Sequence, residues 1–289
     1  MKISDILAHK RTFSFEMFPP RGEMPIETAL KVGSELAQLA PDFVSVTYSA
    51  GGSGNSENTA VVAERVQKAT GVPTMAHLTS LGLTKAQVST FVEGLLAQGV
   101  DNVLALRGDL VPGREPVDFT YAADLVRYLR EQYGDRLCIG AACYPEGHVE
   151  CLDYGRSMER LRAKQDAGVD FFVTQLFFDN ELYYRFREAA DAAGITVPVV
   201  CGIMPFTSEK QVSHMTFVCG ATLPSPVIKR LARYRDDPDG LRKAGTEYAC
   251  QQLCDLAHHG VDGLHVYAMN KPAVGRATAE ALRAVGYFS

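Results

Sequence analysis

Eight short apolar runs, each followed by a longer amphipathic helical pattern, constrain the fold of this chain more than any other feature. The runs are continuously apolar rather than alternating, which is typical of parallel strands covered by helices. Eight β/α units at regular spacing predict a (β/α)₈ barrel. The predicted strands are residues 12–18, 43–48, 73–78, 102–106, 138–144, 171–176, 198–202 and 263–267. The predicted helices are residues 25–39, 57–69, 85–98, 121–133, 157–165, 181–193, 208–218 and 271–285.

The length of the chain agrees with a single domain of this α/β class. A barrel of this type has about 250 residues, and the chain has 289, with an additional helical stretch at about 226–259. A doubly wound open sheet is the alternative fold, but no G-x-G-x-x-G follows the first strand. No low-complexity segment or linker interrupts the series. We therefore predict one barrel domain over residues 1–289.

Charge and cysteine content exclude several classes of function. The formal net charge is −5, which argues against binding to a nucleic-acid backbone. No apolar run approaches the roughly 20 residues that cross a membrane, and the N-terminus lacks the apolar core of a secretory signal. The seven cysteines include no C-x-x-C pair, and no H-E-x-x-H occurs. We expect a cytoplasmic protein with free thiols, no metal, and no nucleic-acid or membrane partner.

Polar residues stand where the predicted strands end, which is where barrel enzymes build their active sites. One such residue is usually a cap or a turn, but seven of the eight strands contribute one or more. Together they predict a single functional rim. These residues are Glu16, Thr47, His77, Arg107 with Asp109, Tyr144 with His148, Gln175, and Tyr267.

Glu16 is the candidate general acid because it lies in the apolar segment FSFEMFPPR. A carboxyl that loses hydration among Phe13, Phe15, Met17 and Phe18 disfavours its charged form and can hold a proton near neutral pH. The structural alternative is an ion pair with Arg21. The residues alone leave these two interpretations equally weighted.

Other rim residues suit the recognition of a planar, phosphate-bearing ligand. Gly108 allows close approach of the backbone, and Asp109 offers acceptors for the N–H groups of a heterocycle. Tyr144 suits stacking on a ring, while His148 and Lys164 suit phosphate oxygens. Singly, each has a plainer interpretation: a turn, a core tyrosine or a solvated lysine. Likewise, His77 and Gln175 would serve a core network as well as a ligand.

Seven segments together resemble the methylenetetrahydrofolate reductase family, in the order in which that family has them. They are FSFEMFPPR, DFVSVTYSAGG, PTMAHLTS, VLALRGDL, AACYPEGH, VTQLFFD and HVYAMNK, between about residues 12 and 271. The resemblance implies a barrel with its site at the C-terminal face and an FAD-dependent oxidoreductase. In this reaction NAD(P)H reduces the flavin, and 5,10-methylenetetrahydrofolate then accepts the hydride to become 5-methyltetrahydrofolate, which supplies methionine synthesis.

The same resemblance implies a role for each matching residue. Glu16 would protonate N10 of the folate, and Asp109 would bind the pterin and tune the flavin. The residues implied to bind FAD are Thr47, His77, Arg107, Gly108, Asp109, Tyr121, Ala122, Ala142, Tyr144, His148, Ser157 and Lys164. Those implied to bind folate or nicotinamide are Glu16, Asp109, Gln175, Gln211, Met215, Tyr267 and Lys271.

Three positions depart from the usual family pattern. Ser157 replaces a common Asp near the flavin, Met215 replaces a frequent Phe, and Lys271 replaces a frequent Arg. These changes bear on affinities and leave open a variant that holds flavin loosely or works without it. Family members form dimers or tetramers, so a homo-oligomer is expected. No regulatory domain is expected after the eighth helix, and the sequence does not select NADH over NADPH.

Two other functional classes compete with this one. A barrel lyase or aldolase would use a phosphate site or a Schiff-base lysine, and neither has a convincing counterpart here. A non-catalytic folate- or flavin-binding protein would have no use for Glu16. A yellow purified protein that bleaches with NADH would distinguish the flavoenzyme from both.

Overall fold

The computed structural model describes residues 1–20, 25–48, 56–110, 113 and 115–288. All described strands are parallel and pair in chain order, and the last pairs with the first to close the barrel. The predicted (β/α)₈ fold is therefore confirmed. The strands are β1 (Thr12–Met17), β2 (Phe43–Val46), β3 (Thr74–Thr79), β4 (Asn102–Leu106), β5 (Cys138–Cys143), β6 (Phe171–Thr174), β7 (Val199–Ile203) and β8 (Gly263–Tyr267).

One short helix precedes the first strand, and the other helices follow the strands and form the outer layer. They are α1 (Ile3–Leu7), α2 (Ile26–Ala37), α3 (Ser56–Thr70), α4 (Lys85–Ala97), α5 (Ala122–Tyr133), α6 (Tyr154–Asp166), α7 (Asn180–Ala192), α8 (Glu209–Cys219), α9 (Ser225–Arg233), α10 (Pro238–His258) and α11 (Pro272–Ala284). A short 3₁₀ turn, Gly134–Arg136, precedes β5. In the part of the chain that the structure describes, no helix combines the length and apolarity that crossing a bilayer requires.

The strands bury both of their faces, which explains why their sequences are continuously apolar. Residues that point outward, such as Phe15 and Val46, join the large core between strands and helices. Residues that point inward at the lower end, such as Phe43 and Phe171, fill the barrel floor. Side chains alternate along each strand, so neighbouring residues belong to different cores.

Helix α1 closes the lower end of the barrel, and the sequence did not predict it. Its residue Ile3 is fully buried with Phe43, Met75 and Phe171 in the floor cluster. The Ile3 N–H donates to Asn102 Oδ1 at 2.8 Å, which ties the helix to β4. Five residues are too few to show a helical hydrophobic period, so pattern analysis passes over this element.

The stretch 226–259 contains two helices rather than one. Helix α9 ends at Arg233, and α10 begins with Pro238 in its first turn. The Asp237 carboxylate caps α10 by accepting from the Gly240 N–H at 2.9 Å. Proline suits the first helical position but disfavours helical conformation in the residue before it, which explains the break.

Removing the Ile3 side chain should destabilise the barrel. Ile3→Ala leaves a cavity in the floor and is expected to lower the free energy of unfolding by about 2–5 kcal/mol. Ile228→Ala removes the same atoms from a side chain that is 51% exposed and should change stability little. Urea unfolding of both variants checks this, and equal losses would show that α1 does not seal the floor.

Candidate active site

Glu16 points into the barrel, near its C-terminal end. Its sequence neighbours Phe13, Phe15 and Met17 point the other way, into the core between strands and helices. The expectation that these apolar side chains surround the carboxyl is therefore wrong, because adjacent residues of a strand face opposite sides. The proposed partner Arg21 lies outside the described residues.

Two imidazoles face one oxygen of the Glu16 carboxyl. Nε2 of His77 lies 3.6 Å from Glu16 Oε2, and Nε2 of His265 lies 3.8 Å from the same atom. A serine hydroxyl contacts each ring, at the nitrogen that faces Glu16 in His77 and at the opposite nitrogen in His265. Ser45 Oγ lies 2.5 Å from His77 Nε2, and Ser14 Oγ lies 2.7 Å from His265 Nδ1. Strands β1, β2, β3 and β8 thus share one buried polar cluster.

The His77 ring is neutral at physiological pH. Burial lowers the pKa of His77 to about 4, and His265 lowers it further, while the Glu16 charge only partly opposes them. Because a neutral imidazole carries no charge to pair with a carboxylate, Glu16 and His77 do not form an ion pair near pH 7.

Tyr267 covers the cluster on the β8 side. Its hydroxyl donates to the Thr174 carbonyl oxygen at 2.6 Å, which fixes the ring across the barrel interior. A side chain at Gly202 would collide with this hydroxyl, so glycine makes the room. Burial raises the pKa of Tyr267, and the charge of Glu16 acts in the same direction. The Tyr267 side chain is therefore an uncharged neighbour of the Glu16 carboxyl.

A second group of predicted residues gathers at the ends of β4 and β5. Arg107 makes a bidentate pair with Glu150, with both N–O distances at 2.7 Å. The Tyr144 and His148 rings meet edge to face at 4.7 Å. Burial lowers the pKa of His148, Glu150 opposes this, and Arg107, Lys164 and Arg160 lower it further. The charges of Arg107, Lys164 and Arg160 thus disfavour protonation of the His148 ring.

Lys164 is the most constrained of these cations. Its Nζ donates to the Ala142 carbonyl oxygen at 2.7 Å and lies 5.3 Å from the centre of the Tyr144 ring. Burial lowers the pKa of Lys164 to about 8. The ammonium is mostly charged at pH 7 yet incompletely solvated, which suits a site for an anion.

Asp109 lies beyond the end of β4 and is exposed. Gly108 before it has φ +92°, a conformation that favours glycine. Burial raises the pKa of Tyr144, the charge of Arg107 opposes this, and that of Asp109 adds to it. Because all eight strands run parallel in the closed barrel, the β4–β5 group and the Glu16 cluster share the C-terminal face.

The predicted substrate residues Gln211 and Lys271 meet through Thr207. The Thr207 hydroxyl donates to Gln211 Oε1 at 2.9 Å and accepts from Lys271 Nζ at 3.0 Å. Met215 packs in the small cluster that also contains Met204, above β7.

Gln175 follows β6 and uses its amide oxygen locally, accepting from the Leu176 N–H at 2.8 Å. Together with Tyr144, Glu146 and Cys219, it lines a narrow cleft at the mouth. This bond leaves the Gln175 amide NH₂ as the end with which it can contact a ligand.

The remaining predicted residues are more dispersed around the rim. Thr47 follows β2, where its N–H donates to the Met17 carbonyl oxygen at 3.0 Å. Tyr121 and Ala122 start α5, and the Tyr121 ring is half exposed beside Arg160, whose guanidinium carbon lies 5.6 Å from the ring centre. Ser157 is buried in the first turns of α6.

A larger cavity, of about 670 Å³, lies on the opposite face, below β7 and β8. Arg187, one of its lining residues, is ion-paired with Asp191. Active sites of this fold form at the C-terminal face, and the titratable cluster lies there, so size alone does not make this cavity the functional site. Within the described ranges, no group of three His, Cys, Asp or Glu residues could hold a metal ion.

Comparison with known sequences decides the family. The family model "Methylenetetrahydrofolate reductase" matches residues 2–284. The chain belongs to the methylenetetrahydrofolate reductase family. It is 34% identical over 269 residues to 5,10-methylenetetrahydrofolate reductase of Salmonella typhimurium, which covers 93% of this chain and 90% of that protein.

Eukaryotic members of the family are longer than this chain. Methylenetetrahydrofolate reductase (NADH) 1 of Arabidopsis thaliana is 33% identical over 291 residues, covering 95% of this chain and 49% of the plant protein. Methylenetetrahydrofolate reductase 1 of Schizosaccharomyces pombe is 35% identical over 280 residues, covering 93% and 46%. The chain thus spans about half the length of these relatives.

Solved structures support the same fold. An uncharacterized protein from Clostridium thermocellum that binds two copies of 5-methyl-5,6,7,8-tetrahydrofolic acid has a TM-score of 0.70 and 16% identity, and the match covers 98% of both chains. A 2,3-dimethylmalate lyase has a TM-score of 0.54 and 14% identity, covering 98% of this chain and 84% of the lyase. At these identities the likeness concerns the fold alone.

Sequence reasoning missed Ser14, Ser45 and Glu150, and it also missed two residues of the candidate site that their spacing from predicted residues could have revealed. Arg160 stands four residues before Lys164 on α6, a spacing that places both on one helix face. His265 stands two residues before Tyr267 on β8, so both point into the barrel. Applying these two periods to the residues already chosen would have found them.

Replacing His77 should change how stability responds to acid. Because its pKa is about 4 in the folded chain and about 6.5 when unfolded, the unfolded state binds the extra proton between these values. Stability therefore falls as pH drops from 6.5 to 4, by about 3 kcal/mol from this residue. His77→Gln should remove this portion of the loss.

Urea unfolding at several pH values measures the effect. The exposed His258 provides the control, and His258→Gln should leave the pH dependence of stability as in the unmodified chain. An identical acid dependence in His77→Gln would show that His77 is protonated normally.

Proposed function

We propose that this member of the methylenetetrahydrofolate reductase family reduces 5,10-methylenetetrahydrofolate to 5-methyltetrahydrofolate, using FAD and NAD(P)H. The observation that carries the proposal is the Glu16 carboxyl, held inside the barrel mouth between two imidazoles. A group of cations lies at the same face. A proton donor beside an anion-binding rim is the arrangement that this reduction needs.

The folate substrate is supported by two comparisons. Relatives such as the Salmonella typhimurium protein carry the name of the reaction. The Clostridium thermocellum neighbour, which shares the fold, binds 5-methyltetrahydrofolate, the product of the proposed reaction. The lyase-like fold neighbour has no comparable support from sequence, since its identity is 14%.

The residues at the ends of β4 and β5 fit FAD. Lys164 and Arg160 place positive charge near His148, and Glu150 holds the Arg107 guanidinium in place, so this group suits the diphosphate of a dinucleotide. The Tyr144 ring and the backbone at Gly108 offer a flat surface and close approach to a planar ring. When bound, FAD would supply the hydride chemistry, and the chain supplies binding, orientation and protons.

The Glu16 cluster performs the proton chemistry in this proposal. The Glu16 carboxyl gives its proton to N10 of the folate, which releases N10 from the bridging carbon and prepares that carbon to accept a hydride. The uncharged Tyr267 side chain lies beside the carboxyl on the β8 side. Asp109 and the Gln175 amide orient the pterin by hydrogen bonds, while Met215 and the linked Gln211 and Lys271 line the β7–β8 side.

Further parts of the proposal concern the setting of the reaction. NADH or NADPH would be the electron donor, and relatives are named for each. The seven free cysteines are consistent with work in the reducing cytosol. A homo-oligomer, and a contribution to methionine supply, follow from the family resemblance.

Replacing Glu16 should separate the two half-reactions. Glu16→Gln keeps the size of the side chain but removes the acidic proton, so methylenetetrahydrofolate reduction should fall by at least about a hundredfold. NAD(P)H oxidation by an artificial acceptor should continue, because it needs no proton at N10. Stopped-flow absorbance of the flavin measures both.

The exposed Glu27 offers a control of the same chemistry. Glu27→Gln should keep both half-reactions. Normal folate reduction by Glu16→Gln would overturn the assignment of the acid, and loss of both half-reactions would indicate a binding role instead.

Removing the buried cation should weaken FAD binding. Lys164→Met keeps the length of the side chain but deletes a charge-assisted contact, so the Kd for FAD should rise about ten- to a hundredfold. Quenching of flavin fluorescence on binding measures the Kd. The matched variant Lys229→Met, on the exposed side of α9, should bind FAD unchanged. A colourless protein with no affinity for FAD before mutation would contradict the flavin proposal.

A further inference from the structure

His265 is fully enclosed beside Glu16, and the proposed function has so far given it no role. It is 1% exposed. Its ring stacks on Phe43, with centroids 5.9 Å apart, and meets Tyr267 edge to face at 5.4 Å. These contacts fix the orientation of the ring, so its two nitrogens have constant neighbours. Nδ1 faces Ser14, and Nε2 faces Glu16.

The Ser14 hydroxyl selects which nitrogen of His265 carries the proton. Ser14 Oγ lies 3.2 Å from the Leu264 carbonyl oxygen and 2.7 Å from His265 Nδ1. A carbonyl oxygen can only accept, so the single hydroxyl proton must point to Leu264 if that bond is made. The hydroxyl oxygen then accepts from Nδ1–H. Both contacts are hydrogen bonds only in the tautomer that has its proton on Nδ1.

In this tautomer Nε2 presents a lone pair to the Glu16 carboxyl, 3.8 Å away. A lone pair repels a carboxylate and favours the protonated acid, whereas an N–H at the same place would favour the carboxylate. We propose that Ser14 and His265 are positioning residues: the tautomer that Ser14 selects makes His265 favour the protonated form of the Glu16 carboxyl between turnovers. This inference rests on the proposed function only for its purpose, since the proton preference exists without substrate.

The other groups around the carboxyl are compatible with this role. His77 faces the same oxygen from β3, and because burial lowers its pKa to about 4, it offers no positive charge to stabilise a carboxylate near pH 7. Tyr267, from the same strand as His265, stays neutral because burial raises its pKa. Ser45, from β2, contacts His77 rather than Glu16. Among the described residues, none of these neighbours carries a positive charge that would stabilise a Glu16 carboxylate.

The proton balance is simple. Glu16 gives one proton to the substrate nitrogen and becomes a carboxylate. It then regains one proton from solvent before the next turnover. The effect of His265 in this cycle is electrostatic.

Nitrogen NMR of the unmodified protein, labelled with ¹⁵N-histidine, tests the tautomer directly. His265→Gln identifies the signal. We expect the His265 signals of a neutral ring with Nδ1 protonated and Nε2 unprotonated. A ring protonated at Nε2 would overturn the inference, and this experiment needs no folded variant beyond the one used for assignment.

Infrared difference spectroscopy of the protein without substrate tests the consequence for Glu16. The carboxylic-acid band that disappears in Glu16→Gln is followed with pH. Ser14→Ala frees the His265 tautomer, so the midpoint of this band should move to lower pH by about one unit, a tenfold change in proton affinity. Ser45→Ala removes the same hydroxyl from the other side of the carboxyl and should leave the His265 nitrogen signals unchanged.

The outcomes separate this inference from the proposed function. An unmoved midpoint in a folded Ser14→Ala variant overturns the inference, even if the protein reduces methylenetetrahydrofolate. The expected tautomer and shift, found in a protein that reduces no folate, would support the inference and overturn the function. In an active enzyme, the alkaline limb of the folate-reduction pH profile should move with the infrared midpoint, without the change in KM that a merely structural defect would cause.

Discussion

The pairing of β8 with β1 is the constraint on which the rest of the structure depends. Its register sets Ser14 against His265 and Glu16 against Tyr267. Beyond the strands, Asn270 continues the contact: its side chain accepts from the Phe18 N–H at 2.7 Å and donates to the Phe18 carbonyl oxygen at 3.0 Å. A shift of one residue would turn every side chain of β1 to the other face and remove Glu16 from the barrel.

The interior of the barrel changes character from bottom to top. The floor is apolar and sealed by Ile3, whereas the next level contains the polar side chains Ser14, Ser45, His77 and His265, all buried. Burying polar groups costs free energy unless they bond to one another. The serine–histidine contacts provide those bonds, and they also fix the rings that face Glu16. The same contacts therefore serve stability and the chemistry proposed for the mouth.

The regular part of the fold could be predicted from sequence because each strand is a distinct apolar run. The bounds predicted for β4 and β8 agree with the structure, and those of the other strands differ by one or two residues at one or both ends. Local pattern failed where tertiary contacts decide. Helix α1 is only five residues long and exists by sealing the floor, and the break between α9 and α10 depends on the capping residue Asp237 before Pro238.

The site was partly predictable for a similar reason. Strand ends could be located, so Glu16, His77 and Tyr267 were found as rim residues. What surrounds each side chain depends on which face it occupies and on strands distant in sequence. The apolar neighbours of Glu16 in sequence are therefore not its neighbours in space, and His265, from the other end of the chain, is.

The most direct test of the central claim is a crystal structure of the protein with FAD and 5-methyltetrahydrofolate. The account predicts the folate at the C-terminal mouth, with N10 within hydrogen-bond reach of the Glu16 carboxyl and the flavin beside Tyr144 and Lys164. A folate bound in the cavity below β7 and β8, or at the mouth but with N10 turned away from β1, would contradict it.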